Sequence, residues 1–144
     1  MKKMVVTLLL IGVLSACSSQ DAIPAPTKTN ESNQSPNVTM LDEGVWPENT
    51  YTDGLPVPTG TVNWAILDAE HENCSISLVD ISEDNYTDYM EILKQEGFSV
   101  IEDVSEEVKG QNYVSIGTLL SNGEKGLSIS YIPDRFTICI SFLP

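Results

Sequence analysis

The sequence predicts an α+β fold, a two-layer sandwich in which an antiparallel sheet of five to six strands, in the order β-β-α-β-β-β-β, carries one helix on one face. Three observations lead there. Gln111 to Phe142 alternates apolar and small polar side chains through two tight-turn signals. Thr61 to Val79 alternates in the same way around one loop, and between these stretches only Ser82 to Glu96 has a convincing helical repeat.

The chain opens on a short basic start, Met1-Lys2-Lys3-Met4, followed by an apolar run from Val5 to Leu14. About ten residues are too few to span a bilayer and suit the central region of a signal peptide. The run leads into Leu14-Ser15-Ala16-Cys17. That order resembles the lipobox of bacterial lipoproteins, which implies cleavage after residue 16 and a diacylglyceryl group on the Cys17 thiol. Cys17 is therefore the expected lipid attachment, and the membrane, reached through that anchor, the first expected partner. An ordinary signal peptide cut near Ala16 is the alternative.

Residues 17–40 are rich in Ser, Asn, Thr, Gln and Pro and poor in large apolar side chains. Such a composition predicts a disordered tether with a typical reach of about 25 Å. Residues 41–144 are left as a single domain. The whole chain has seven basic and 21 acidic residues, a net charge of −14. Residues 1–16 hold two of the lysines and no carboxylate, so the remainder has five basic and 21 acidic residues, a net −16. This excludes nucleic acid as a natural partner.

Within the domain, Val45 to Gly60 has three prolines and two glycines, yet carries Trp46, Tyr51 and Leu55. It reads as an irregular lead-in that lays apolar side chains on the edge of the core, with an aromatic ligand platform as the functional alternative. Thr61 to Asp68 places Val62, Trp64 and Ile66 on one side, and Asn73 to Val79 sets Cys74, Ile76 and Leu78 against Ser75 and Ser77. In the helix Ser82 is the expected N-cap, Tyr86, Tyr89, Met90 and Leu93 the buried stripe, and Gly97 the terminating glycine. Such a helix covers about four strands, so the Trp46 to Leu55 segment is expected to cover the rest. Phe98 to Val100 starts a further strand, and the acidic stretch Glu102 to Gly110, including Asp103, Glu106 and Glu107, reads as a solvated link.

The terminal meander is predicted in register. A type I′ turn at Asn122-Gly123 sets Thr118 opposite Leu127, Ile116 opposite Ile129 and Val114 opposite Tyr131. A turn at Pro133-Asp134 sets Tyr131 opposite Phe136, Ile129 opposite Ile138 and Leu127 opposite Ile140, with a local bulge expected there. Both turns give one apolar face, Val114, Ile116, Leu127, Ile129, Tyr131, Phe136, Ile138, Ile140 and Phe142.

Trp46-Pro47, Leu55-Pro56-Val57-Pro58 before Gly60, Tyr89 to Gly97-Phe98 and the terminal meander together resemble a group of bacterial lipoprotein domains of unknown function, common in clostridia-like Gram-positive bacteria. The resemblance spans most of residues 45–142. It implies the domain boundary and an extracytoplasmic location, and it carries no catalytic or ligand residue.

The chemistry-bearing residues are sparse. His71 is the one histidine, with Asp68, Glu70 and Glu72 beside it. Neighbours on an extended loop seldom converge on one ion, so neither a metal nor any other cofactor is expected. No glycine-elbow serine, phosphate loop, paired-cysteine motif or dinucleotide fingerprint is present, which argues against an enzyme. Cys74 and Cys139 fall on opposite faces in this register and are expected as free thiols.

The opposite sheet face is the sharper lead. Ser75, Ser77, Ser115, Ser128, Ser130, Thr137 and Ser141, with Gly117, form an almost uncharged hydroxyl-bearing surface on a heavily acidic chain. It is the candidate interaction face. The sequence thus points to a lipid-anchored, non-catalytic binding or accessory module with an envelope protein as possible partner. A small hydrolase or metal-dependent enzyme built on the His71 loop, and an inhibitor acting through the sheet face, are the alternatives.

Overall fold

The structure, a computed structural model, describes residues 37–144. The expected signal peptide, the expected lipid attachment at Cys17 and nearly all of the expected tether lie outside the described residues. The elements are β1 (Val38–Met40), β2 (Thr61–Asp68), β3 (Asn73–Val79), α1 (Glu83–Gln95), β4 (Ser99–Glu107), β5 (Val114–Ser121), β6 (Lys125–Ile132) and β7 (Arg135–Phe142). The fold is α+β, one open antiparallel sheet in the order β1-β2-β3-β7-β6-β5-β4 with the single helix on one face.

The sheet has seven strands rather than five or six. The added one, β1, comes from the end of the stretch assigned to the tether and pairs Met40 with Ile66. The Ala69 amide also donates to the Asn37 carbonyl at 2.9 Å, so the ordered domain starts before residue 41. β4 also runs well past Val100 and takes in Glu102, Asp103, Glu106 and Glu107, so the acidic stretch is a strand up to Glu107 rather than the expected solvated link.

α1 forms for local reasons. Ser82 accepts the Asn85 amide at 3.1 Å while Asn85 Oδ1 takes the Ser82 amide at 3.2 Å, a reciprocal cap. Glu83 and Asp84 sit at the positive end of the helix dipole. At the other end the Phe98 amide reaches the Leu93 carbonyl and the Gly97 amide that of Lys94, with Gly97 at φ 92°, a Schellman termination. Tyr86, Tyr89, Met90 and Leu93 are buried as the repeat predicts. Tyr86 stacks on Tyr131 at 4.8 Å between ring centroids, and Tyr89 meets Phe136 edge-on at 5.6 Å.

The register explains the course of the helix. β3 ends at Val79 opposite Arg135, beside the Pro133-Asp134 turn; β4 begins at Ser99 opposite Ser121, beside Asn122 at the other end of the sheet. Four strand spacings of about 4.8 Å separate β3 from β4, close to the roughly 20 Å length of α1. The helix therefore runs obliquely over the middle of the sheet and leaves the rest uncovered.

The lead-in fills that gap. Asn49 Oδ1 accepts the amides of Tyr51 and Thr52, and the Thr52 hydroxyl donates to the Pro47 carbonyl at 2.7 Å. The loop so formed buries Leu55 and packs Trp46 and Tyr51 against the core. The Tyr89 hydroxyl donates to the Pro56 carbonyl at 3.0 Å, joining helix to lead-in. Lys125, 7% exposed, donates from Nζ to the Asp53 carbonyl and lies 5.6 Å over the Phe142 ring. The segment thus lays its apolar side chains on the core, as the packing reading expects.

Three details of register differ from expectation. In β2 a bulge between Val62 and Trp64 changes the phase, so Val62, Ala65 and Leu67 face the core while Trp64 and Ile66 face away. In the β5–β6 turn the central residues are Gly123, at φ 89°, and Glu124, because Asn122 Oδ1 accepts the amides of Glu124 and Lys125. Moving the turn by one residue moves the pairing by two. Ile116 meets Tyr131, Thr118 meets Ile129 and Leu120 meets Leu127. A two-residue shift keeps every side chain on its own face, so Leu127, Ile129, Tyr131, Phe136, Ile138 and Ile140 are all buried. Val114 and Phe142, however, lie at the ends of the face and are 40% and 43% exposed, Phe142 meeting Tyr51 of the cover and Lys125. The Pro133-Asp134 turn sets the expected pairs without a bulge, because Asp134 itself takes the left-handed conformation at φ 65°.

Candidate interaction face

The face opposite α1 is assembled from alternate residues of every strand, and the pairing places them in rows. One row reads Trp64, Ser77, Thr137, Ser130, Gly117, Val104 from β2 to β4. The next reads Met40, Ile66, Ser75, Cys139, Ser128, Leu119, Glu102 from β1 to β4. Across both rows the one carboxylate is Glu102, at the far edge. The middle of the face is small and hydroxyl-bearing; its two margins are apolar.

The candidate residues do not all reach the surface. Ser128 and Ser130 are exposed, and Ser75, Ser115, Thr137 and Ser141 are half-buried. Ser77 is 1% exposed and is withdrawn as a contact residue. The β2 bulge sets Trp64 directly opposite it, and the Thr137 hydroxyl, on its other side, donates to Ser77 Oγ at 3.5 Å. Ser115 stands beside Glu106, and Ser141 lies one row further along, opposite Asn73 and Gly126.

The apolar margins are the part the sequence did not reveal. Met40 is 45%, Leu119 38% and Val104 43% exposed, and Trp64 and Ile66 are half-buried. Leu119 reads as part of an apolar Leu119-Leu120 pair, and only the register shows which of the two turns outward. Trp64 and Ile66 were hidden by the bulge. A hollow of about 240 Å³ at Gly117, bounded by Glu102, Val104, Leu119 and Ser128, interrupts the otherwise shallow surface.

The other chemical candidates are dispersed. His71 Nδ1 lies 2.8 Å from Asp68 Oδ2 on an exposed loop. The hydrogen bond to Asp68, then its charge, holds the imidazole pKa above the ordinary 6.5, and the same bond holds the Asp68 carboxyl below 3.8. Among the described residues no group of three His, Cys, Asp or Glu side chains is placed to hold a metal. Cys74 is buried on the core face, where desolvation raises its thiol pKa, and Cys139 is half-buried on the outer face. A groove of about 520 Å³ runs beside Trp46, Glu48, Asp53 and Val57. The amide of Asn49 and the hydroxyl of Thr52, which also line it, are already committed to the loop and to Cys74.

No protein-family model matches the chain, and no characterised protein matches it in sequence.

Proposed function

We propose that the chain is a lipid-anchored extracytoplasmic lipoprotein that works by binding rather than catalysis, presenting the face opposite α1 to a protein of the cell envelope. The location rests on the lipobox-like Leu14-Ser15-Ala16-Cys17 after an apolar run and a basic start. The resemblance to lipoprotein domains of clostridia-like bacteria points the same way.

The observation that carries the binding reading is the composition of the two rows. On a chain of net charge −14, a surface some 24 Å across presents Ser, Thr, Gly and Cys between apolar margins and one carboxylate. Small side chains let another surface approach closely, apolar margins supply the area to be buried, and hydroxyls supply donors and acceptors. A face meant only for water would carry the carboxylates that the rest of the surface carries.

Replacing Ser128 and Ser130 with Lys tests the reading without touching the core, since both are exposed. The envelope partner recovered with the anchored protein should be lost from the variant, while circular dichroism stays unchanged. Unaltered recovery would count against the face. The anchor has its own test. Cys17→Ala should move the protein from the membrane to the soluble fraction and remove the acyl mass.

A further inference from the structure

The two edges of the sheet are guarded unequally. β1 is three residues long. β4 is nine residues long, every one of them is exposed, and among the described residues it pairs with β5 alone. Along its open side the backbone amides and carbonyls of alternate residues have no strand to meet. Exposed large apolar side chains gather at the same edge: Val100, Ile101 and Val104 on β4, with Val114 and Leu119 on β5 next to it. β4 itself carries Glu102, Asp103, Glu106 and Glu107 and no cation.

We propose that the open side of β4 is a docking edge for an extended lysine- or arginine-rich segment of another protein, which adds as an eighth antiparallel strand. This edge adjoins the interaction face, sharing Val104 and Glu102 with the β4 end of its two rows, but it offers the unpaired backbone of β4 and does not depend on the role of the hydroxyl-bearing middle. The bulge between Val100 and Glu102 confines regular pairing to Glu102 through Glu107. Within that run the register alternates the faces. Glu102, Val104 and Glu106 share the side of Gly117 and Leu119, and Asp103, Ser105 and Glu107 share the side of Thr118 and Ile116. A strand laid against them meets charge, charge, apolar, small polar, charge, charge. Its complement has basic residues at four positions, an apolar residue opposite Val104 and a hydroxyl opposite Ser105.

Charge selects among the possible occupants. A second copy of this chain, pairing β4 with β4, would set four carboxylates on each of two adjacent strands, and like charges opposite one another are unfavourable. The preceding segment of the chain, residues 18–36, has one lysine, two carboxylates and three prolines. Each proline lacks the amide a ladder needs. A basic extended segment meets both the free backbone and the carboxylates.

The test uses the mature chain and the peptide acetyl-Thr-Lys-Lys-Thr-Val-Lys-Lys-Thr-amide. Amide hydrogen exchange followed by NMR should show slowed exchange at alternate amides between Glu102 and Glu107 when the peptide is added. Glu102→Gln with Glu106→Gln should weaken binding roughly fivefold. A peptide of equal charge with Pro at the central Thr and Val should bind roughly tenfold more weakly and leave the open-side amides of β4 exchanging as in the free protein. Ser128→Lys with Ser130→Lys should leave slowed exchange in place, separating this edge from the interaction face. Three results would overturn the proposal: equal binding of both peptides, shifts spread over the acidic surface without new protection on the open side of β4, or protection of those open-side amides, the ones that do not pair with β5, before any peptide is added.

Discussion

At the scale of single residues, two positions show how far local chemistry reaches. Gly60 adopts φ +126°, and a Cβ there would lie 2.9 Å from the Val79 carbonyl oxygen, a backbone atom that has no freedom to withdraw. Gly60→Ala should lower stability by about 2–3 kcal/mol in urea denaturation; a loss below about 0.5 kcal/mol, the ordinary range of neutral surface changes, would mean the β2 entry relaxes. The His71–Asp68 pair bears on pH. His71 holds its proton more tightly folded than unfolded, so its share of stability is whole below 6.5 and is lost as pH rises through the folded value. Asp68 is held below 3.8, so its share is present above that and is lost as acid protonates it. The pair therefore supports the fold between those limits, weakly, because both groups sit on an exposed loop. NMR titration of this single histidine should give a midpoint above 6.5 that Asp68→Asn brings back down; a midpoint indifferent to that change would dissolve the pair. The residues of the interaction face were legible only in part. Ser128 and Ser130 followed from alternation, whereas the burial of Ser77 depends on Trp64, which a neighbouring strand's bulge turned towards it.

At the scale of elements, legibility followed the range of the deciding interactions. α1 was readable to the residue because its cap, stripe and Gly97 termination all lie within its own sequence. Ser82→Ala should cost about 1 kcal/mol, measured as a shift of the denaturation midpoint, and the capping hydroxyl makes that a surface effect with no core repacked. The β5–β6 turn was placed one residue early because Asn122 has two uses. Its side chain holds the amides of Glu124 and Lys125 instead of its backbone entering the left-handed region. The faces survived since the resulting shift is even. β1 gave no signal of its own: three residues in a polar stretch become a strand only because the edge of β2 is there to pair with. The carboxylates of β4 have the composition of a solvated loop, and only their pairing along β5 makes them a regular edge.

At the scale of the whole molecule, one side of the sheet is covered twice, and no other described residue covers the opposite side. α1 and the Trp46 to Leu55 segment share the apolar side, joined through the Tyr89 hydroxyl and the Pro56 carbonyl. Tyr89→Phe should cost about 1 kcal/mol by removing that bond while leaving the ring packed on Phe136. What the described residues leave open is a nearly uncharged surface on an acidic chain, and the proposed function rests on that surface being occupied in the cell. Cys139 stands in its centre, between Ser75 and Ser128, and Cys74 is sealed in the core. The rate at which a maleimide labels Cys139 can be compared in intact envelopes and in the purified protein. Occupation of the face predicts labelling that is markedly slower in the envelope and recovers in the Ser128→Lys, Ser130→Lys variant. Equal rates in the two settings would contradict it.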